Sequence, residues 1–136
     1  MTLVFDTETT GKADFNAPVD APHQPRIVQL GAILFDDKKK IVSEINVVLK
    51  PDNWTIPKEA FDIHGFTTEY CEKYGLPERV GLGLFDHLLS KAEILVAHNI
   101  SFDLILIKGA YKRHGQTFPE VTFDWKFNNF THWVDD

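Results

Sequence analysis

The sequence predicts an α/β fold: a mixed sheet flanked by helices. Three observations carry this. Short apolar stretches with β-branched or alternating character recur along the first 50 residues. Segments with helical start and stop signals follow them. A last apolar strand, residues 92–97, then runs straight into a helix. The length of 136 residues suits one domain with a real core, and 43% apolar with 25% charged residues is an ordinary globular balance.

Residues 2–6 read as a short buried strand. Residues 12–25, with Pro18, Pro22 and Pro25, read as a loop. Residues 26–35 and 41–49 read as two further strands, joined by the polar turn Asp36-Asp37-Lys38-Lys39-Lys40, so that the first three strands form a meander. Pro57 starts a short helix and Gly65 ends it; a second begins at Thr67 and stops at Gly75; a third spans Pro77 to Lys91. Ala92–Ala97 is the fourth strand. Asn99 or Ser101 caps the helix that follows, which reaches His114, and Val121–Trp125 is a fifth strand.

Composition excludes several classes. No apolar run approaches the roughly 20 residues a membrane span needs. The N-terminus lacks a basic region and a cleavage site, so no secretory signal is read there. A lone cysteine, Cys71, forms no internal disulfide and favours an intracellular, cytoplasmic setting. A net charge of −6 argues against holding long duplex DNA by charge alone. It is compatible with carboxylates gathered to hold divalent ions.

Two groups of residues stand out. Asp6 and Glu8 are two apart in an extended segment, so both carboxylates face one side. Their repulsion is relieved by a cation, which suggests a metal site; the plain alternative is two solvated charges at a strand end. The run His98-Asn99-Ile100-Ser101-Phe102-Asp103 directly follows the apolar fourth strand. Asp103 falls in the first turn of a helix, where a negative charge is favoured, and at a strand C-terminus, where such sheets place their sites. Lys108, Lys112 and Arg113 form a basic stripe that suits phosphate or plain solvent equally. Cys71 reads as half-buried.

Phe5-Asp6-Thr7-Glu8-Thr9-Thr10-Gly11 resembles the first motif of the DEDD family of 3′–5′ exonucleases, proofreading enzymes with a ribonuclease H-like fold. His98–Asp103 resembles its second motif. Ile27-Val28-Gln29-Leu30-Gly31-Ala32 resembles the family's second strand, and Ile63-His64-Gly65-Phe66-Thr67 its apolar His-Gly segment beside the nucleotide pocket. The resemblance implies a five-stranded ribonuclease H-like sheet, an exonuclease domain over residues 1–125, and an atypical tail over 126–136. It implies two Mg²⁺ or Mn²⁺ ions on Asp6, Glu8 and Asp103, grouped around one point, and two-metal hydrolysis that releases nucleoside 5′-monophosphates. Thr9, Thr10, Ile63, His64, Phe66, His98, Asn99 and Phe102 match positions around the terminal nucleotide. The implied partners are single-stranded DNA or RNA 3′ ends, with a DNA polymerase left open and no membrane.

The His-type members also carry a general-base His and a fourth acid five residues later, on a last helix. Here 33 residues follow Asp103, and the end reads His132-Trp133-Val134-Asp135-Asp136. That spacing differs from the family's, so the C-terminal helices read as missing. His132 with Asp136 is the substitute pair, and Trp125, Phe127, Phe130 and Trp133 are expected to cover part of an otherwise open sheet face. A catalytically crippled, nucleic-acid-binding member of the same fold is the alternative.

Overall fold

The computed structural model describes residues 1–120, 122–124 and 131–134. The elements are β1 (Thr2–Thr9), β2 (Ile27–Phe35), β3 (Ile41–Val48), α1 (Lys58–His64), α2 (Thr68–Tyr74), α3 (Glu78–Leu89), β4 (Ile94–Ala97), α4 (Ile100–Arg113), β5 (Thr122–Asp124) and β6 (Thr131–Val134). They form one sheet in the order β3-β2-β1-β4-β6-β5. β1 pairs antiparallel with β2 and parallel with β4, and β2 pairs antiparallel with β3. The meander and the parallel crossover into β4 are therefore as the sequence predicts.

Two features differ from the expectation. β1 does not stop at residue 6 but runs to Thr9, with a register break after Glu8, so both acids lie inside the strand. Among the described residues the sheet also has six strands rather than five. Residues 131–134, expected in the tail, form β6, which is antiparallel to both β4 and β5. Thr131-His132-Trp133-Val134 is rich in β-branched and aromatic residues, which suit a pleated surface. Trp125, Phe127, Phe130 and Asp136 lie outside the described residues.

Strand alternation divides the sheet into two unlike faces. Leu3 and Phe5 of β1, Leu30, Ala32 and Leu34 of β2, and Leu95 of β4 are buried in one core with Leu82 and Phe85 of α3 and Ile100, Leu104 and Ile107 of α4. The Phe5 and Phe85 rings meet at 5.3 Å. β3 is an edge strand, and Ile41 at its start is exposed. Cys71 is fully buried rather than half-buried. No helix among the described residues is long and apolar enough to cross a membrane.

The connections are held by specific contacts. Gly65 ends α1 in the left-handed region, φ 78°, where glycine is unstrained. Thr67 caps α2 by accepting a hydrogen bond from the Tyr70 N–H at 3.0 Å. At the other end of α2, Gly75 packs so closely on the segment just after β3 that a Cβ would strike the Cys71 carbonyl and the Lys50 amide. Leu76 and Lys50 then complete the junction: Leu76 N–H donates to Val48 O, and Lys50 N–H to Leu76 O. Buried Gln24 stitches the 12–25 loop by donating to the Asp14 and Pro18 carbonyls.

Glu78, at the start of α3, binds Arg26 at 3.3 Å, Arg113 at 3.2 Å and His114 at 3.1 Å. Burial alone would raise its pKa, but the Arg113 and Arg26 guanidiniums and the His114 hydrogen bond hold it below the usual carboxylate range. Of the basic stripe of α4, Arg113 is thereby drawn inward to Glu78, while exposed Lys112 pairs with Asp20 at 3.4 Å. Glu78→Ala leaves two arginines without their counter-charge, and is expected to cost about 3 kcal/mol in chemical unfolding at pH 7. The stabilisation should fade as pH falls through the depressed pKa, so wild type and variant converge in acid. A variant as stable as wild type at pH 7 would refute this role.

Candidate active site

β1 lies between β2 and β4, and its even-numbered side chains face away from the core. Across the strands, Glu8 pairs with Gln29, Asp6 with Gly31 and Val4 with Ile33. One strand further, Gly31 pairs with Asn46 and Ile33 with Glu44. Directly paired residues share a face, and these residues line an open groove of about 600 Å³. Asp6 is exposed and Glu8 half-buried within it. Gly31 puts no side chain beside Asp6, and a Cβ there would find nothing nearer than the Ile45 carbonyl at 4.0 Å. Gln29 and Asn46 close the far side by a 2.8 Å side-chain hydrogen bond.

Asp103 reaches the same strand from the other side. α4 leaves the end of β4, next to β1, so its first turn stands over the C-terminal half of β1. The residue that meets it is Thr7, whose hydroxyl donates to Asp103 Oδ1 at 2.7 Å, both groups being buried. Burial pushes the Asp103 carboxyl up to about 6; the charges of Asp6 and Glu8 add to this, and the Thr7 hydrogen bonds only partly offset it. The three acids are thus coupled by charge. Among the described residues no group of three or more His, Cys, Asp or Glu side chains is gathered closely enough to hold a metal ion as it stands. Alternation turns Thr7 toward Asp103, and Asp6 and Glu8 toward the groove. As a donor set the acids suit a hard divalent cation, with Asp6 and Glu8 open to it and Asp103 behind them.

The remaining expected residues fall around this centre. His64 Nδ1 accepts the Phe66 N–H at 3.0 Å, which leaves the proton on Nε2, and Nε2 donates to the Thr9 carbonyl at 3.2 Å. The His-Gly segment is thereby fastened to the end of β1. Thr9 Oγ1 donates to the Gly11 carbonyl, and Thr10 Oγ1 accepts the Arg26 N–H at 2.9 Å. Ile63 is 83% exposed, and Phe66 is half-buried against His64. His98 and Asn99 are exposed in the turn after β4. Asn99 occupies the N-cap position of α4, but its side chain makes no capping bond; its carbonyl accepts from Phe102 and Asp103 instead. Phe102 packs against the edge of the core. The backbone of His132 pairs with Val96 in β6, while its side chain, like Asp136, lies outside the described residues.

Sequence reasoning missed Thr7, Gln29, Asn46 and Glu44. For Thr7 a signal existed, because a hydroxyl between two outward acids must face inward, toward the next element. The β3 residues had none, since their place depends on register.

The profile of the RNase T exonuclease family matches residues 3–135. This chain is a member of the DEDD 3′–5′ exonuclease family. It is 33% identical over 104 residues to the DNA polymerase III subunit epsilon of Salmonella typhimurium, and 30% identical over 102 residues to that of Escherichia coli. Each match covers 75% of this chain, and the chain spans 40% of the length of these subunits. Exonuclease I of E. coli, solved in complex with a dT13 oligonucleotide, shares the fold with a TM-score of 0.69 at 21% identity, over 85% of this chain and 24% of that one. The family thus accounts for the sheet, and β6 falls within the matched stretch.

The raised pKa of Asp103 gives a testable sign. Between about pH 4 and 6 the folded protein keeps a proton that the unfolded chain has released, so this group's contribution to stability falls as pH rises through that window. Asp103→Asn removes the charge and still accepts from Thr7. It should stabilise the metal-free protein by about 2 kcal/mol at pH 7 and change little near pH 4. Thermal unfolding at the two pH values checks this, and a destabilised variant at pH 7 would contradict it.

Proposed function

We propose that the chain is a metal-dependent 3′–5′ exonuclease domain that removes nucleotides from single-stranded DNA or RNA ends as nucleoside 5′-monophosphates. The observation that carries the reading is the groove-facing pair Asp6 and Glu8, with Asp103 buried behind Thr7 and coupled to both by charge. Asp6 and Glu8 would hold Mg²⁺ or Mn²⁺ as hard oxygen ligands. Bound there, such ions would clamp the scissile phosphate, promote ionisation of the attacking water and stabilise the leaving 3′-oxygen.

The chain's own groups do the positioning. Thr9 and Thr10, tied to Gly11 and Arg26, present the end of β1 to the terminal nucleotide. Ile63, His64 and Phe66 provide apolar and ring surface beside it, with His98, Asn99 and Phe102 closing from the α4 side. His132 and Asp136 are the proposed base and fourth acid. The exonuclease domain is proposed to take in β6 beyond residue 125, in an intracellular protein. The epsilon subunits belong to a DNA polymerase by name, which supports a polymerase partner here. The spacing of His132, Asp135 and Asp136, which differs from the family's His and acid five residues apart, favours a second reading, a non-catalytic nucleic-acid-binding member of the fold.

One assay separates these. With Mg²⁺ or Mn²⁺, the protein should shorten a 5′-labelled single strand from its 3′ end. Chelation should stop this, and Asp6→Ala should lower the rate by a hundredfold or more, on the order of the loss seen when a charge-stabilising group is removed. Its melting point should stay near that of wild type, because an acid repelled by its neighbours adds little stability. Equal cleavage by wild type and variant would exclude the proposed site. Binding of the strand without cleavage by wild type would establish the second reading.

A further inference from the structure

An aromatic ladder leaves the candidate site and runs onto α2. Its rings are His64, Phe66, Tyr70 and Tyr74, with successive centroids 5.5, 5.9 and 4.9 Å apart. Tyr70 and Tyr74 are four residues apart and so lie on one helix face. They are 46% and 59% exposed, although large aromatic side chains are usually well buried. The ammonium of Lys73 stands 5.2 Å from the centre of the Tyr74 ring. Glu72, two positions from each tyrosine, turns to the far side of the helix. The inner end of the ladder is fixed, since His64 donates to the Thr9 carbonyl on the strand that carries Asp6 and Glu8. The outer end is fixed too, because Gly75 and Leu76 are locked against β3.

Nothing in the core requires this arrangement. Cys71 supplies the buried contact of α2, and the tyrosines point outward. Exposed contiguous aromatic surface marks an interaction site. Rings in sequence, beside a cation and starting at the proposed nucleotide pocket, match the chemistry of a single strand, whose bases each offer a π-face and whose backbone is anionic.

We propose that Tyr70, Tyr74 and Lys73 form a stacking track that holds about two bases immediately 5′ of the terminal nucleotide. The proposal rests on the exonuclease reading and extends it. The track would make the protein sensitive to strand length and tolerant of sequence, since stacking does not read base edges.

The test uses thymidine 5′-monophosphate, which fills only the terminal position, and unlabelled dT8, each titrated calorimetrically into the 136-residue protein in chelator, so that binding is read without cleavage. Wild type should bind dT8 at least about tenfold more tightly than the mononucleotide, given the usual strength of base–aromatic stacking. Tyr70→Ala/Tyr74→Ala should lose that preference and keep its mononucleotide affinity within about twofold. Tyr70→Phe/Tyr74→Phe, which keeps the ring faces, should retain the preference and guards against an effect of misfolding. A length preference that survives in the alanine variant overturns the track. Equal wild-type affinity for the two ligands also overturns it, but leaves the exonuclease reading to the cleavage assay. Failure of wild type to bind either one counts against both.

Discussion

The organising constraint is the alternation of β1, a central strand flanked by β2 and β4. Leu3 and Phe5 must enter the core for the sheet to bind its helices, and that requirement turns Asp6 and Glu8 outward without further choice. Thr7 is caught between these demands, since it faces inward yet is polar. Its hydroxyl is satisfied by Asp103, so one hydrogen bond both completes the buried side of the strand and brings a third carboxylate within range of the outward pair. Core packing and site electrostatics are therefore one arrangement viewed from two faces of a strand.

That arrangement stores unfavourable energy where the chemistry is expected. A buried carboxylate lifted to about 6 beside two further acids is poorly stabilised by the protein alone. A divalent cation in the groove would relieve the repulsion, so the same charges that weaken the metal-free fold would favour ion binding. Elsewhere the molecule does the opposite. Glu78 is also buried, but it is surrounded by Arg26, Arg113 and His114 and held ionised. Two buried acids in one small domain thus have opposite surroundings: one serves the join between α3 and α4, the other faces the groove pair.

The second organising contact is the His64–Thr9 hydrogen bond, which anchors the α1–α2 segment to the end of β1. Without it the aromatic rings of that segment would be a surface feature remote from the acids. With it, the rings of His64, Phe66, Tyr70 and Tyr74 run outward from the end of β1, and the close packing of Gly75 on Leu49 and Lys50 gives the helix a fixed orientation.

Much of this was legible in the residues. The Asp6–Glu8 spacing in a strand dictates a shared face, and the run from β4 into His98–Asp103 dictates an acid in the first turn of α4, because both depend only on local periodicity. The helix stops at Gly65 and Gly75 were equally local. The family followed from four ordered segments. What tertiary structure decided depends on contacts between distant residues. The inward turn of Thr7 onto Asp103, which sets Asp103 beside the outward pair, depends on how α4 crosses the sheet. The strand role of residues 131–134 depends on a free edge of β4 being available. The fate of the α4 basic stripe depends on Glu78, 35 residues earlier than Arg113, being buried beside it. The continuity from Thr9 to Tyr74 arises only when α1 folds back on β1. Sequence spacing sets which way a side chain points from its own element, and long-range packing sets what it then meets.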